Sequence, residues 1–344
     1  MFYPFFSNSK TRPAPMSLIV FENGFYCPQG DFYIDPYRPV DRAILTHGHS
    51  DHARWGMKRY LAHTESELIL KARLGPEAVI ETLPYNFPIS INGVKVSLHP
   101  AGHIVGSAQV RVEYKGEVWV ISGDYKTADD GISTPFEPVR CNHFVTESTF
   151  GLPIYQWETQ DEIMARMHAW ILKNRERGRA SVLVAYTLGK SQRIVHGLAQ
   201  YGIPIYAHGA TVNMHHAVQP FRPDLPDIHK LTKDTPKEDV LAGAILCPGS
   251  ALDTPWLRRW QPYAVGFCSG WMQVRGAQRR RNADAGFVLS DHADWPGLLD
   301  AIDATGAENI WATHGFSATL ARYVTETRGL NGGVVTTQYG EEEE

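Results

Sequence analysis

The sequence predicts a mixed α/β protein in which one domain is interrupted by another. Three observations lead there. The first 150 residues read mostly as short strands, apolar or alternating and separated by turn residues. After about residue 151 the chain changes to amphipathic helices alternating with buried strands, the pattern of a parallel α/β unit. After about residue 289 motif-bearing segments return. A chain of 344 residues is long enough for this, and 43 % hydrophobic with 20 % charged residues describes an ordinary globular protein.

Taken in order, strands are expected at Ser17 to Phe21, Phe32 to Ile34 and Ala43 to Thr46. A helix follows from Glu65 to Leu74, stopped by Gly75-Pro76. Further strands are expected at Lys95 to His99, Ala108 to Tyr114, Val118 to Ser122 and His143 to Thr146, with Lys115-Gly116 as a hairpin turn. In the interrupting segment, Asp161 to Arg177 is an amphipathic helix ended by Gly178. Ala180 to Tyr186 is a buried strand and Lys190 to Tyr201 a helix ended by Gly202. Pro204 to Tyr206 and Ala244 to Cys247 continue the alternation. The last part reads as a helix from Trp295 to Thr305, a strand from Asn309 to Thr313 and a closing helix from Ser317 to Arg328.

Composition bounds the setting. Cys27, Cys141, Cys247 and Cys268 form no Cys-x-x-Cys pair, which argues against a disulfide framework or zinc knuckle and for a reducing cytoplasm. Pro4, Asn8, Lys10 and Pro13 break the apolar patches of the N-terminus, and no segment has the length of a membrane span, so no membrane partner is expected. Met16 is a possible natural start, and Glu341 to Glu344 read as a solvated tail. A net charge of −4 taken alone argues against a polyanionic substrate. Local distribution answers that objection: Arg275, Arg279, Arg280 and Arg281 lie in a stretch without acids, and residues 166 to 193 are strongly basic.

The stretch Thr46-His47-Gly48-His49-Ser50-Asp51-His52 carries the chemistry. Four strong metal ligands fall within six positions, directly after the buried run Ala43-Ile44-Leu45. Histidines at i and i+2 point the same way on extended backbone and can grip one ion. Asp51 and His52, past a turn, can face a second ion, and paired ions of this kind serve hydrolysis. Further ligands are then expected at later strand ends. His103 follows one in Ala101-Gly102-His103, Asp124 ends another in Ser122-Gly123-Asp124, and His314 ends a third in Thr313-His314-Gly315. Ligand counting gives one ion to His47, His49, His103 and Asp124, and the other to Asp51, His52, Asp124 and His314. Such nitrogen-rich sites suit Zn²⁺, while Mn²⁺ and Fe²⁺ accept the same ligands.

This order of motifs resembles the metallo-β-lactamase fold, an αββα sandwich with a binuclear site at one edge. Glu147 in Thr146-Glu147-Ser148-Thr149-Phe150-Gly151 and His292 in Leu289-Ser290-Asp291-His292-Ala293-Asp294-Trp295 are similar to the acidic and histidine motifs of the β-CASP nucleases, and His314 to their third motif. The resemblance extends to bacterial DNA ligase-associated exonucleases, through Ser269-Gly270-Trp271-Met272 and the run to Trp295. It implies a catalytic domain made of 1–150 and 290–344, with a compact β-CASP domain over 151–289. It also implies a metal-dependent phosphodiesterase acting on DNA from the 5′ end, single strands or strand ends, in repair. Products would be a 3′-hydroxyl and a 5′-phosphate, and an ATP-dependent DNA ligase would be a functional associate. Asp51, Glu147 and His292 are the catalytic candidates, with His292 as general acid and Glu147 fixing its tautomer.

Nucleic-acid contacts are expected from Lys190, Ser191, Trp271, Arg275, Arg279, Arg280 and Arg281. Gly189-Lys190-Ser191 is not a P-loop, because the first glycine of that motif would fall at Val184. The helix start there either holds a phosphate or is a plain cap. Trp271 can offer a stacking face, and the arginines are either a strand-gripping patch or a solvated basic face. Competing functions are a lactamase- or thioesterase-like hydrolase, a non-enzymatic scaffold, and an RNA nuclease of the ribonuclease J or mRNA 3′-end-processing kind. The 2′-hydroxyl reader that separates RNA from DNA is not legible.

Overall fold

The computed structural model describes residues 17–274 and 283–335. Three sheets organise them. The first has six strands in chain order, Val20–Phe21, Phe25–Cys27, Phe32–Ile34, Arg42–Ile44, Arg59–His63 and Ile80–Leu83, antiparallel at its start and parallel from Phe32 onward. The second runs Asn331–Val334, Asn309–Thr313, His143–Glu147, Glu117–Ile121, Ala108–Tyr114, Val94–Pro100 and Ile89–Ile91 across its width. Its antiparallel meander is extended by parallel pairing of His143–Glu147 between Glu117–Ile121 and Asn309–Thr313, which sets Glu147 opposite Thr313.

Alternation on these strands decides the layers. Phe25, Phe32, Ile34 and Ile44 of the first sheet share a core with Val96, Val110, Val112 and Trp119 of the second, so the sheets pack face to face. The outer face of the first, Ala43, Leu45, Tyr60 and Ala62, is covered by Leu70 of the helix Glu67–Leu74. The outer face of the second, Val120, Phe144, Ile310 and Ala312, is covered by the helices Trp295–Thr305 and Ser317–Arg328 through Leu298, Ile302, Leu320 and Val324. Helix, sheet, sheet and helix stack as an αββα sandwich.

The third sheet is entirely parallel and drawn from residues 180–287, in the order His229–Lys230, Ile205–Ala207, Ala244–Cys247, Ala180–Val184, Tyr263–Cys268 and Ala285–Phe287. Its central strands are buried on both faces, as parallel sheets require. Helices Gln160–Glu176, Lys190–Ala199 and Gly209–Val218 cover one face, and Val240, Leu257 and Trp260 the other. Thr159 and Glu162 cap the first of these helices reciprocally. Ile69, Ile104 and Val105 of the sandwich join the helical core of this unit, so the two parts share an apolar seam.

Most expected elements are present. The strand expected over Ser17 to Phe21 shrinks to Val20–Phe21, both exposed. Several strands lie outside the expected set, among them Arg59–His63, Ile80–Leu83, Tyr263–Cys268 and Asn331–Val334. Asn331–Val334 reads Asn-Gly-Gly-Val and has no strand-forming composition; it is held as an edge by pairing with Asn309–Thr313. Residues 1–16, with Met16, and the Glu341 to Glu344 tail lie outside the described residues. No helix among the described residues is long and apolar enough to cross a membrane.

Candidate metal centre and acid–base pair

The expected ligands come from the ends of strands in both sandwich sheets, at one edge. After Arg42–Ile44 the chain turns, closed by Ala53 N–H donating to the His49 carbonyl at 2.8 Å. That turn presents His47, His49, Asp51 and His52. His103 follows Val94–Pro100, Asp124 follows Glu117–Ile121, and His314 follows Asn309–Thr313. Gly123 has φ +57°, and a Cβ there would lie 2.6 Å from Thr46, so glycine lets Asp124 approach the first motif. His314 itself adopts φ +57°, an uncommon conformation for a side-chain-bearing residue. Ser148 holds the turn by donating to the carbonyls of Thr313, at 2.9 Å, and His314.

The donor atoms converge. His47 Nε2 and His103 Nε2 lie 3.1 and 3.0 Å from His49 Nδ1, and 3.4 and 3.8 Å from Asp124 Oδ2. His52 Nε2 lies 3.4 Å from Asp51 Oδ2 and 3.5 Å from the same Asp124 oxygen. The sets His47/His49/His103/Asp124, His47/Asp51/His52 and His52/Asp124/His314 each keep their donor atoms within 4.8 Å. Asp124 stands between two groups of ligands.

The outward nitrogens decide what the inward ones carry. His103 Nδ1 lies 2.8 Å from the Asp291 carbonyl, His49 Nε2 3.2 Å from the Leu188 carbonyl, and His52 Nδ1 2.7 Å from Asp35 Oδ2. Each of those partners only accepts, so each outward nitrogen bears the proton and donates. Thr46 Oγ1 donates to Asp35 Oδ2 at 2.6 Å and so accepts from His47 Nδ1 at 3.1 Å. Burial keeps the rings of His47, His49 and His103 neutral, so the inward nitrogen of each of these three then holds a bare lone pair. Lone pairs facing one another at 3 Å beside a carboxylate repel unless a cation sits among them. The residues fit divalent metal ions.

The electrostatics separate His52 from the other histidines. Burial, reinforced by neighbouring imidazoles, holds His47 and His103 well below the ordinary histidine value, and His49 and His314 are lowered as well, chiefly by burial. Neutral imidazole is the ligating form. Burial works against charge on His52, but Asp124, Asp51 and Asp35 outweigh it and raise its value. Burial likewise opposes ionisation of Asp124, yet His52 and His47 hold its carboxyl well below the usual range.

Beside this centre, His292 Nδ1 sits 2.8 Å from Glu147 Oε2 and 3.0 Å from Oε1. Glu147 is fully buried and its Oε1 also accepts from Tyr125 N–H at 2.7 Å, which fixes the carboxylate. Burial would lower His292, but Glu147 and then Asp124 override it and lift its value to about 9. Asp124, Glu147 and His292 fall within the same 4.8 Å. The dyad and the ligand cluster form one site.

The expected nucleic-acid contacts fare differently. Lys190 and Ser191 are buried; Ser191 Oγ donates to the Tyr186 carbonyl at 2.5 Å, and Lys190 Nζ lies 4.4 Å from the Tyr186 ring centre. At this helix start Gly189 N–H donates to Gln192 Oε1 at 2.8 Å. Trp271 is half-buried, with its ring centre 4.9 Å from that of Phe150 and 5.7 Å from that of Tyr155. Arg275, Arg279, Arg280 and Arg281 lie outside the described residues.

Asp35 is the site residue that sequence reasoning missed. It is buried, receives Thr46 N–H at 2.9 Å and orients both Thr46 and His52. The signal existed: Asp35 ends the strand Phe32–Ile34 as the other acids and histidines end theirs.

No family model matches the chain. It is 28% identical over 315 residues to a probable DNA ligase of Opitutus terrae, covering 91% of this chain and 30% of that protein. It is 29% identical over 126 residues to the endoribonuclease YSH1 of Saccharomyces cerevisiae, covering 36% of this chain and 16% of that one. With the cleavage and polyadenylation specificity factor subunit 3 of Dictyostelium discoideum it shares 27% over 143 residues, 40% of this chain and 17% of the relative. The chain thus spans less than a third of each of these relatives. Among solved structures, a protein of unknown function from Enterococcus faecalis superposes with a TM-score of 0.58 at 12% identity, covering 87% of this chain and 80% of that one, which shows a shared fold.

Proposed function

We propose that the chain is a metal-dependent nuclease of the metallo-β-lactamase/β-CASP kind, with residues 1–150 and 290–344 forming the catalytic domain and 151–289 an inserted β-CASP domain. The observation that carries the reading is the Glu147–His292 pair set against a two-lobed ligand cluster at Asp124. A buried, carboxylate-backed imidazole held protonated suits proton delivery to an alkoxide leaving group. The relatives named as endoribonucleases and as a probable DNA ligase support a nucleic-acid substrate.

His47, His49, His103 and Asp124 would hold one divalent ion, and Asp51, His52, Asp124 and His314 the second, with zinc or manganese as the candidates. Bound there, the ions supply Lewis acidity toward a phosphate oxygen and lower the pKa of a water. The protein's own residues do the rest. Asp124 balances charge between the two lobes. Asp35, the Leu188 carbonyl and the Asp291 carbonyl keep three imidazoles in the ligating tautomer. Glu147 holds the His292 Nδ1 proton, which aims Nε2 for delivery of its proton to the leaving 3′ oxygen, leaving a 3′-hydroxyl and a 5′-phosphate. Asp51 contributes a carboxylate at the rim, more accessible than His52 beside it.

The finer proposal is a 5′-to-3′ exonuclease on single-stranded DNA, acting in the cytoplasm in repair beside an ATP-dependent DNA ligase. The ligase-named relative, matched across 91% of this chain, supports it. RNA processing is the second reading, favoured by the endoribonuclease-named relatives. Digestion of matched single-stranded DNA and RNA, labelled at either end and supplied with Zn²⁺ or Mn²⁺, tests both. Stepwise mononucleotide release from the DNA 5′ end, with RNA spared, is the expected outcome. Preferential cutting of RNA selects the second reading, and no cleavage of either defeats both.

A further inference from the structure

We infer that Arg193, in the helix Lys190–Ala199 of the inserted region, is a positioning residue that fixes the turn carrying His292 and, through the same turn, the metal-ligating orientation of His103. The activity readout of this inference rests on the nuclease reading above; its metal-binding readout does not.

Arg193 is buried and each nitrogen of its guanidinium donates. Nη1 donates to the Ser290 carbonyl at 2.6 Å and to Asp291 Oδ1 at 2.7 Å. Nε and Nη2 both donate to Gln160 Oε1, at 3.1 and 3.0 Å, and Asp130 Oδ2 lies 3.9 Å from Nε. One side chain therefore ties together three segments far apart in sequence. The planar fork makes this possible, and an ammonium cannot reproduce it.

The held turn bears two functional groups. The Asp291 carbonyl is the acceptor for His103 Nδ1, and the next residue is His292, whose own N–H donates to Ser290 Oγ at 3.1 Å. Arg193 is the only ion-pair partner of Asp291 among the described residues, and Asp291 Oδ2 has no hydrogen-bond partner there. Gly189, at φ +87°, lets the helix start press against that carboxylate: a Cβ would lie 2.9 Å from Oδ2. Without the guanidinium, Asp291 loses its ion pair, with only the more distant Lys126 left to act on it, and the turn must move to hydrate the carboxylate. That motion displaces the His103 acceptor and the His292 backbone together. The inserted region thus contributes to the metal centre through a main-chain carbonyl that it positions from a distance.

The test uses the full chain with Arg193→Ala, Arg193→Lys and Asp291→Asn. Zn²⁺ and Mn²⁺ affinity is measured by chelator competition, kcat and KM on bis(p-nitrophenyl) phosphate, and the thermal midpoint alongside. Loss of an outer partner of a metal-bound histidine weakens affinity by roughly 10- to 100-fold. Arg193→Ala is expected to show that loss, with kcat falling at least as far and KM within about threefold. Free guanidinium at millimolar concentration should restore part of both, because a cavity of ≈ 270 Å³ lined by Gln160, Arg193, Ser290 and Asp294 opens beside the side chain. A folded Arg193→Ala variant with metal affinity and kcat within about twofold of the parent overturns the inference, as does a drop confined to the thermal midpoint. If Arg193→Ala does not fold, Arg193→Lys and Asp291→Asn decide on the same terms. Should the parent hydrolyse no phosphodiester, the nuclease proposal fails while the metal titration still judges Arg193.

Discussion

The sandwich and the inserted α/β unit approach the metal centre in opposite ways. The sandwich sends side chains: every candidate ligand atom comes from the end of one of its strands. The insert sends none. It offers the Leu188 carbonyl to His49 and, through Arg193, the setting of the Asp291 carbonyl for His103. Lone pairs are thus supplied by one part and their direction by both. A site divided this way should respond in graded fashion, most to changes in the sandwich and less to changes further out.

The largest expected effect is therefore at Asp124. Its Oδ2 faces His47, His52 and His103 within 3.8 Å, so Asp124→Ala should abolish metal loading in both lobes and all hydrolysis. Elemental analysis of the purified variant checks this. Retention of two ions would mean that Asp124 does not join the lobes, and the proposed ligand division would have to be redrawn.

Next comes His292, which belongs to the site but to neither ligand set. His292→Ala should keep the metal content of the parent and lose roughly 10²- to 10⁴-fold in kcat, the range for a positioned general acid. Glu147→Gln should leave the metals in place and reduce kcat less, since the amide oxygen can still accept from Nδ1. Metal loss in the His292 variant would move that residue into the cage and blur the distinction drawn here.

Asp35 sharpens the comparison from within the sandwich. It orients His52 as the insert-positioned carbonyl orients His103, but by a charged bond at 2.7 Å. Asp35→Asn should cost about 10- to 100-fold in affinity for the ion assigned to His52, which it contacts directly, and less for the ion assigned to His47, which it reaches only through Thr46. A titration resolving two sites reads this directly, and equal weakening of both would show that the lobes are not separable.

The difference between the two parts also explains what was legible. A ligand cluster is local: His47 to His52 lie within one turn, and the later ligands each follow a strand that hydrophobic patterning marks. Paired orienting groups are not local. Arg193 and Asp291 are separated by nearly a hundred residues, and a lone arginine in a helix has no pattern that singles it out. The Leu188 and Asp291 carbonyls belong to the backbone and have no sequence signature at all. Asp35 obeys the strand-end rule but lies outside the dense motif, where a single acid carries no spacing signal. The strands missed in the insert and at the edges fail for another reason: Asn331–Val334 and Ala285–Phe287 are held by their neighbours rather than by their own composition.

The smallest expected effect lies where the two parts meet away from the metals. Arg222 of the insert grips Glu65 of the sandwich at 2.9 and 3.0 Å and reaches the Ile132 carbonyl. Two residues before Glu65, His63 stacks on Tyr85 with ring centres 3.4 Å apart. Burial, opposed by Glu65 but aided by Arg222, pushes His63 down to about 4. Unfolded, the same histidine titrates near its ordinary value of about 6.5. Between those values the unfolded chain binds the extra proton, so this residue favours unfolding progressively as pH falls from about 6.5 toward 4, and contributes no pH dependence above that window. His63→Gln removes the titrating group but keeps a side-chain amide for the Glu65 N–H contact. Urea midpoints of parent and variant, both stripped of metal, should draw together as pH drops from 7 to 4.5, because only the parent carries the His63 proton penalty. Parallel curves would mean that His63 titrates alike folded and unfolded, and that the seam beside Arg222 is more hydrated than its packing indicates.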